Sequence, residues 1–155
     1  MPIEIKEITD KNEKETIARD ILYDLPEWFG LPESTDGYIK DSKDKDFLAG
    51  FVDGKASGFI VLNPTSSFTS EIFVMGVKKE FHRLGLGTKL VKVYEQLAIE
   101  IGYSYSQVKT VKSGYYAEYD ITNNFYKSLG YVELECFPDM WDSWNPCQIY
   151  IKYLK

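Results

Sequence analysis

The chain has 155 residues, of which 44% are hydrophobic and 15% aromatic, and its formal net charge is −6. This length is enough for one hydrophobic core and too short for two ordinary domains, so we expect a single domain over residues 1–155. The acidic balance argues against nucleic acid as a partner, and no apolar run approaches the roughly 18 residues of a membrane span. No positively charged start leads into an apolar stretch near Met1, so we expect a cytoplasmic protein with no membrane partner.

Strand and helix patterns alternate along the chain and predict eleven elements. In chain order they are a strand at 3–8, helices at 13–22 and 33–45, strands at 46–52, 57–63 and 71–77, a helix at 86–101, a strand at 105–111, a helix at 122–130, and strands at 131–137 and 147–154. The Asp-Gly turn at Asp53 and Gly54 predicts a hairpin between the second and third strands. The near-continuous apolar run at 71–77 is typical of a central strand that is covered on both faces.

The segment from Val77 to Val91 places two glycines, Gly85 and Gly87, between an apolar strand and a helix. At such a junction several backbone N–H groups point at one anion, and glycine lets an oxygen approach the main chain. We expect the bound anion to be a phosphate group. A dinucleotide fingerprint would need glycine where the chain has Leu90, and a Walker loop would need Gly-Lys-Ser/Thr, which this segment lacks. The alternative is a helix start that is simply closely packed.

Charge is unevenly distributed along the chain. The first 70 residues contain 8 basic and 14 acidic side chains, whereas the remainder contains 10 of each. Seven basic residues of the second half crowd around the glycine loop and its neighbouring strand, which predicts a local surface for an anion. They are Lys78, Lys79, Arg83, Lys89, Lys92, Lys109 and Lys112. In the first half, Asp20, Asp24 and Glu27 lie beside Trp28 and Phe29, a mix suited to a cationic amine. Alternatively, these acidic residues only keep the protein soluble.

Three further features leave alternatives open. Trp141 and Trp144, from the far end of the chain, could close an amine-binding pocket formed with Trp28 and Phe29, or they could lock a loop onto the core. Gly76, inside the central strand, predicts a β-bulge or a close ligand approach, or else the tight packing of a neighbour. Cys136 and Cys147 could face each other across the final hairpin, but without a secretory signal we expect two reduced thiols. Neither cysteine has the spacing of a metal site.

The glycine loop resembles the pyrophosphate-binding signature of the GCN5-related N-acetyltransferase (GNAT) superfamily, V-x-x-x-x-[Q/R]-x-x-G-x-[G/A]. Val77, Gly85 and Gly87 match this pattern. His82 occupies the Gln/Arg position, with Arg83 beside it. The resemblance therefore implies backbone contacts to coenzyme A phosphates, with one side-chain contact changed.

A second segment, FYKSLGY, resembles the family's xYxxxGF element and brings Tyr126, Gly130 and Tyr131 into register. The family often has asparagine seven residues before that tyrosine, where this chain has Tyr119. The two signatures have the order and separation of the family. The two ends of the chain also resemble a subgroup of small bacterial acetyltransferases, which names no substrate.

The resemblance implies an α+β, three-layer acyltransferase fold with a mixed, mostly antiparallel twisted sheet and helices on both faces. The sheet would be splayed between the strands at 71–77 and 105–111 to admit the coenzyme. Acetyl-CoA would be the co-substrate, with no metal. The residues implied to bind it are Met75, Gly76, Val77, His82, Arg83, Leu84, Gly85, Leu86, Gly87, Thr88 and Tyr126.

Catalytic roles follow from what acetyl transfer to an amine requires. An aliphatic amine of pKa about 10.4 is neutral in only about one molecule in 2,500 at pH 7, so a group must take its proton. Glu71, at the start of the central strand, resembles the general base of related histone acetyltransferases. Glu118 and Asp120, acting through a water, are alternatives. The resemblance makes Tyr126 the donor to the departing thiolate, although a tyrosine in an amphipathic helix is often a core residue.

The expected function is acetyl transfer from acetyl-CoA to a primary amine, a small cationic one, by direct attack. A non-catalytic acyl-CoA-binding or sensing module is the alternative from another class, and a tethering domain is a third. The presence of both Glu71 and Tyr126 favours the enzyme. The sequence identifies neither the acceptor nor the oligomeric state, and a homodimer is one of the states it allows.

Overall fold

The computed structural model describes residues 2–155 and contains seven strands and four α-helices. The strands are β1 (Ile3–Ile8), β2 (Asp46–Val52), β3 (Lys55–Pro64), β4 (Thr69–Val77), β5 (Tyr105–Val111), β6 (Val132–Phe137) and β7 (Cys147–Tyr153). The helices are α1 (Lys11–Leu22), α2 (Pro32–Ser42), α3 (Leu86–Ile101) and α4 (Ala117–Ser128), and a 3₁₀ turn covers Lys79–Phe81. The predicted order of strands and α-helices is confirmed.

The strands form one sheet in the order β1-β2-β3-β4-β5-β7-β6. β4 and β5 run parallel, and the other neighbouring pairs are antiparallel. The parallel pair is the one whose connection passes through α3, because parallel neighbours need a crossover. The expectation of a mixed, mostly antiparallel sheet is confirmed.

Helices cover the sheet on both faces, as expected, and each face has its own hydrophobic core. α1 and α2 bury residues such as Ile21 and Ile39 against Phe59 and Val74. On the opposite face, α3 and α4 bury Leu90, Tyr94 and Tyr126 against the sheet, together with residues that include Ile72 and Val108. We call the first of these the α1–α2 face and the second the α3–α4 face.

Two helix boundaries differ from the sequence prediction by three residues or more. α4 begins at Ala117, five residues before the predicted start at 122. Its N-cap, Tyr116, provides no side-chain cap hydrogen bond, so the usual start signal is missing. α2 ends at Ser42 instead of 45, because the amides of Lys43 and Lys45 turn back to the carbonyls of Lys40 and Ser42.

The two cysteines are free and do not face each other across the final hairpin. Cys136 pairs with Gln148, and Cys147 pairs with Phe137, so the two cysteines are offset by one position. Side chains at adjacent strand positions point to opposite faces. The idea that they oppose each other is therefore wrong. Among residues 2–155, no helix combines the length and apolar character needed to cross a bilayer.

Candidate active site

The sheet opens between β4 and β5. The two strands pair only from Thr69 opposite Tyr105 to Ile72 opposite Val108. Beyond that point β4 continues to pair with β3, and β5 continues to pair with β7. The predicted splay between these strands is confirmed, and it leaves one edge of β4 residues 73–77 free to bind a ligand.

A β-bulge does occur in β4, but not at Gly76. Leu62 pairs with Ile72 and Val61 with Val74, so Phe73 is the extra residue. Gly76 pairs regularly with Phe59. A Cβ on Gly76 would meet side-chain atoms of Leu25 at 3.1 Å and of Ile21 at 3.2 Å. Close packing of α1 therefore explains this glycine, and of the sequence alternatives the tight-packing one holds.

The loop before α3 ends in a group of free backbone donors. Gly85 caps α3 in the left-handed region at φ +80°, and Arg83 is also left-handed at φ +68°. The first hydrogen bond that runs into the helix is from the Lys89 amide to the Gly85 carbonyl. No protein acceptor among residues 2–155 receives the amides of 86–88. A helix N-terminus with free N–H groups carries partial positive charge and can hold a phosphate.

The two glycines of this loop have different surroundings. A Cβ on Gly85 would meet nothing within 4 Å, so its place is open and only its φ restricts the residue type. A Cβ on Gly87 would lie 3.3 Å from Cζ of Phe125 in α4. Gly87 therefore makes room for α4, whereas the sequence interpretation had both glycines admit an anion. Gly85 remains the position at which an anion can approach the main chain.

The side chains of the loop are mostly exposed. The ring of His82 donates from Nε2 to the carbonyl of Val77 at 2.6 Å, and it meets Trp28 edge-on at 6.0 Å between ring centroids. Arg83 and Leu84 are exposed, whereas Leu86 is buried in the α3–α4 core. Thr88 is partly buried in the first turn of α3. Arg83 is the charged residue among them. It precedes the unbonded amides of 86–88 in the chain and forms no ion pair with the described residues.

Two lysines of the expected anion surface are neutralised by the acidic residues expected to attract a cation. Lys78 contacts Asp20 at 2.7 Å, and Lys79 contacts Glu27 at 2.6 Å. The amide of Lys79 also donates to Asp24 at 2.9 Å. These contacts use two of the seven basic residues and three acidic residues within the protein, so less charge is free for a ligand than the sequence suggested. Among the described residues, Arg83, Lys89, Lys92 and Lys112 form no ion pair.

Glu71 is buried at the apex of the opening, on the α1–α2 face. Only 6% of the residue is exposed. Its Oε2 accepts from Nε2 of Gln107 at 2.9 Å and lies 3.2 Å from Nζ of Lys109. Its Oε1 is 3.5 Å from Nδ2 of Asn63. The neighbouring Ile72 packs into the opposite core, which puts the carboxylate on the face away from α3.

Aromatic rings line the same face near Glu71. Tyr38 of α2 meets Phe73 edge-on at 5.4 Å and Phe29 at 6.1 Å between ring centroids. Burial, and then the charge of Glu71, raise the pKa of the Tyr38 hydroxyl. Sequence reasoning missed Tyr38, because a tyrosine within a helix carries no local sign of the side chains it will pack against.

Two of the tryptophans that were expected to line a pocket, Trp28 and Trp144, differ in their contacts and exposure. Nε1 of Trp28 donates to Thr122 Oγ1 at 3.1 Å and to the Glu118 carbonyl at 3.2 Å. The Tyr119 hydroxyl donates back to the Trp28 carbonyl at 2.8 Å. Trp28 therefore joins the α1–α2 loop to α4. Trp144 is 76% exposed in the β6–β7 loop, which the locking alternative does not explain.

Tyr126 lies on the α3–α4 face and is almost fully buried among Phe125, Tyr131 and Tyr150. None of the 41 side-chain hydrogen bonds of the described residues involves its hydroxyl. No fully buried side-chain polar atom among the described residues lacks a partner, so this oxygen retains some exposure. Burial raises the pKa of Tyr126 above its usual range. The hydroxyl is therefore a protonated donor that is free for a ligand.

The alternative carboxylates lie at the start of α4. Asp120 Oδ1 accepts the amide of Gly114 at 2.7 Å, which holds the loop after β5. Glu118 contributes its carbonyl to Trp28. A residue missed from sequence, Asn123, is fully buried and donates to the Val111 carbonyl at 2.8 Å. Its amide oxygen accepts from the Tyr150 hydroxyl. Asn123 thereby joins α4 to the separated end of β5.

The arrangement has three parts: free amides on the α3–α4 face, an opening in the sheet, and a carboxylate on the α1–α2 face. Such an opening can admit an extended phosphate-bearing ligand from one face and a second reactant from the other. No group of three His, Cys, Asp or Glu side chains within residues 2–155 is placed to hold a metal ion.

Comparisons with known proteins agree with this geometry. The sequence profile of the family described as Acetyltransferase (GNAT) family matches residues 12–131. A search of curated proteins by sequence found no match.

Solved structures share the fold at low identity. A GNAT-family protein from Desulfovibrio desulfuricans superposes with a TM-score of 0.85 at 14% identity, covering 99% of this chain and all of the other. An aminoglycoside 6′-N-acetyltransferase complexed with coenzyme A gives 0.79 at 18%, covering 98% and 97%. A GNAT family acetyltransferase from Elizabethkingia anophelis with acetyl-CoA bound gives 0.77 at 18%, covering 98% of each chain. At these identities the likeness concerns the fold alone.

Proposed function

Because the chain belongs to the acetyltransferase (GNAT) family and is an acetyl-CoA-dependent N-acetyltransferase, we propose that its acceptor is a small primary amine that attacks the thioester directly. The observation that carries the proposal is the opening between β4 and β5, with free amides on one face and buried Glu71 on the other. Two reactants can then meet from opposite sides of the sheet.

The α3 N-terminus would hold the coenzyme A pyrophosphate. The free amides of Leu86, Gly87 and Thr88 suit phosphate oxygens, and the open space at Gly85 gives access to them. Arg83 would add a charge-assisted contact. His82 would act less directly, since its ring is bonded to the Val77 carbonyl.

The free edge of β4 would bind the rest of the coenzyme. Met75, Gly76 and Val77 pair with β3 on one side and have no strand on the other, so the backbone groups that face outward are available, except for the Val77 carbonyl, which His82 already contacts. Bound acetyl-CoA supplies a thioester carbonyl that develops negative charge when an amine attacks. Main-chain N–H groups of β4 would stabilise that charge, as oxyanion holes do.

Glu71 is proposed as the general base. It is the buried carboxylate at the apex of the opening, held by Gln107 and Asn63. Asp120 is less suited, because it lies at the start of α4, where its carboxylate holds the Gly114 amide, and not on the strand at the apex of the opening. Glu118 remains the second choice, to be tested if substitution of Glu71 leaves the pH profile unchanged.

Tyr126 is proposed to donate a hydrogen bond to the departing thiolate. Its hydroxyl has no protein partner and lies on the α3–α4 face, where the coenzyme would bind. A phenol is a weaker acid than a thiol whose pKa is about 8.5, and burial raises the pKa of Tyr126 further. The hydroxyl would therefore stabilise the thiolate, and the proton would arrive by another route.

The acceptor would be protonated, and so cationic at its nitrogen, before it reaches Glu71. A second positive charge on the acceptor has less support, since Asp20, Asp24 and Glu27 already contact Lys78 and Lys79. The aminoglycoside enzyme among the similar structures names no acceptor for this chain at its 18% identity.

A thiol-release assay with acetyl-CoA tests the proposal. The acceptor panel would contain simple amines, diamines, amino acids, aminoglycosides and lysine peptides, with an acceptor-free blank. Release that depends on one acceptor class, with mass-spectrometric detection of the N-acetyl product, supports it. Calorimetric binding of coenzyme A without release from any acceptor would support a sensing module instead.

A further inference from the structure

Lys109 occupies a special place beside the proposed base. It is the first residue of β5 after Val108, the last position paired with β4. Its Nζ lies 3.2 Å from Oε2 of Glu71, and 35% of its side chain is exposed against 8% for Glu71. Lys109 is therefore the more accessible member of this ion pair, and the surface around the pair is the acceptor pocket that the proposed function requires.

Glu71 does not need Lys109 for its hydrogen bonds. Gln107 donates to Oε2 at 2.9 Å, and Asn63 reaches Oε1 at 3.5 Å. The lysine ammonium lies at the end of a flexible stem with three donors. It can turn from Glu71 to an incoming anion without leaving the carboxylate unpartnered.

The charges in this pocket set a condition on the acceptor. With Lys109 and Glu71 paired, the floor of the pocket is neutral. When an ammonium group takes over the contact with Glu71, the charge of Lys109 is left without its partner. An anionic group on the acceptor would restore the balance, whereas a second positive charge would be repelled.

The pocket wall strengthens this condition. It includes Tyr38, whose hydroxyl is affected by the charge of Glu71, and the rings of Phe73 and Phe29, which pack edge-on against Tyr38. An anion placed against such a wall loses hydration and gains no ionic partner, which is costly. The anionic group of the acceptor should therefore meet Lys109.

We infer that Lys109 determines acceptor specificity by binding a carboxylate placed close to the reacting amine, as in α- and β-amino acids. The separation is short because Glu71 and Lys109 are in contact. This inference rests on the proposed function and names its substrate class. In the reaction the amine nitrogen forms a bond to the acetyl carbon while the carbon–sulfur bond breaks. Of the three ammonium protons, one passes to Glu71 before attack, one is lost from the nitrogen after it bonds to the acetyl carbon and is taken up by the departing thiolate, and one remains on the amide nitrogen.

The test compares amino acids with their primary amides, which replace the carboxylate by a neutral group. Specificity constants from thiol release are measured for wild type, Lys109→Met and Lys109→Arg. Because acid and amide differ in amine reactivity, the quantity compared is the change in their ratio between variants. Lys55→Met, at the exposed start of β3, is the control for loss of one positive charge.

We expect Lys109→Met to lower the acid-to-amide ratio about tenfold or more, mainly through KM for the acid, as for loss of one partly desolvated ion pair. Lys109→Arg should keep most of the ratio, and Lys55→Met should keep all of it. A ratio that is unchanged in Lys109→Met, with amines still acetylated, overturns the inference and leaves the proposed function standing. Absence of acetylation of every acceptor overturns both.

Discussion

Ser70 and Ser106 are partners across β4 and β5, and the Tyr94 hydroxyl lies 2.8 Å from the hydroxyl oxygen of each. The hydroxyl of Ser106 also lies 2.9 Å from that of Tyr131. The Tyr131 hydroxyl donates to Glu95 at 2.9 Å, and Lys152 donates to the same carboxylate at 3.0 Å. This polar chain lies at the closed end of the opening, where the two strands are still paired. It therefore joins α3 to the strands at the apex of the cleft.

Replacing Tyr94 with phenylalanine should destabilise the fold. Both serine hydroxyls are fully buried, and each would lose one partner. We expect a loss of about 1–3 kcal/mol in the free energy of unfolding, measured by urea denaturation. The control is Tyr153→Phe, because Tyr153 is 67% exposed. Equal stability of the two variants would contradict a structural role for this contact.

Gly85 should be required for coenzyme A binding in a way that Gly54 is not. Both glycines have φ +80°, and a Cβ on either would meet nothing within 4 Å, so they form a matched pair. Substitution by alanine should cost each about 1–2 kcal/mol of stability through backbone strain. Substitution by glutamate should weaken coenzyme A binding at least about tenfold only at Gly85, through obstruction and charge repulsion.

Isothermal titration calorimetry with coenzyme A measures this difference. Gly54→Ala and Gly54→Glu control for strain and for added charge. Unchanged affinity in a folded Gly85→Glu protein would remove the α3 N-terminus as the phosphate site. Gly87→Val is less informative, since a side chain there meets Phe125 before any ligand.

Glu71→Gln should change the pH dependence of turnover. The amide cannot accept a proton, so the loss should be greatest near neutral pH, where an amine of pKa about 10.4 is almost wholly protonated. Activity should partly recover as rising pH deprotonates the amine. Initial rates from pH 6.5 to 9.5 would show this, with Glu133→Gln as a control on the exposed part of β6. A parallel pH profile would instead direct attention to Glu118.

Tyr126→Phe should lower turnover and leave coenzyme A affinity and stability nearly unchanged. Its hydroxyl makes no hydrogen bond to the described residues, so its removal should cost little, within about 0.5 kcal/mol. The contrast with Tyr94→Phe separates the two buried tyrosines, one bonded within the protein and one free. Stability loss without a change in turnover would identify Tyr126 as a core residue only.

Cys147 should not carry the acetyl group. It is fully buried, and burial raises the pKa of its thiol to about 11, so little thiolate forms near pH 8. We expect Cys147→Ala to retain turnover, and intact-mass analysis after incubation with acetyl-CoA to show no acetyl-enzyme. An acetylated wild-type protein that Cys147→Ala fails to form would contradict direct attack.

Local patterns were sufficient for much of the fold. The two-residue and helical periodicities predicted the order of strands and helices, and the spacing of Val77, Gly85 and Gly87 identified the loop before α3. These signals act over a few residues, so they can be read from the chain alone. The α4 start was missed for the same reason, since Tyr116 provides no capping side chain.

Only the tertiary structure decided which charges meet. The sequence placed an acidic half before a basic loop, and folding joins Asp20 to Lys78 and Glu27 to Lys79, so each set is partly used within the protein. The position of Glu71 in the sequence made it a candidate general base. Its partner Lys109 belongs to β5, which lies parallel to β4 because the connection between them crosses over through α3. Such pairs depend on strand order, and strand order results from packing both cores at once. Sequence therefore determined the elements and the loop, whereas long-range packing determined the charge balance around the proposed base.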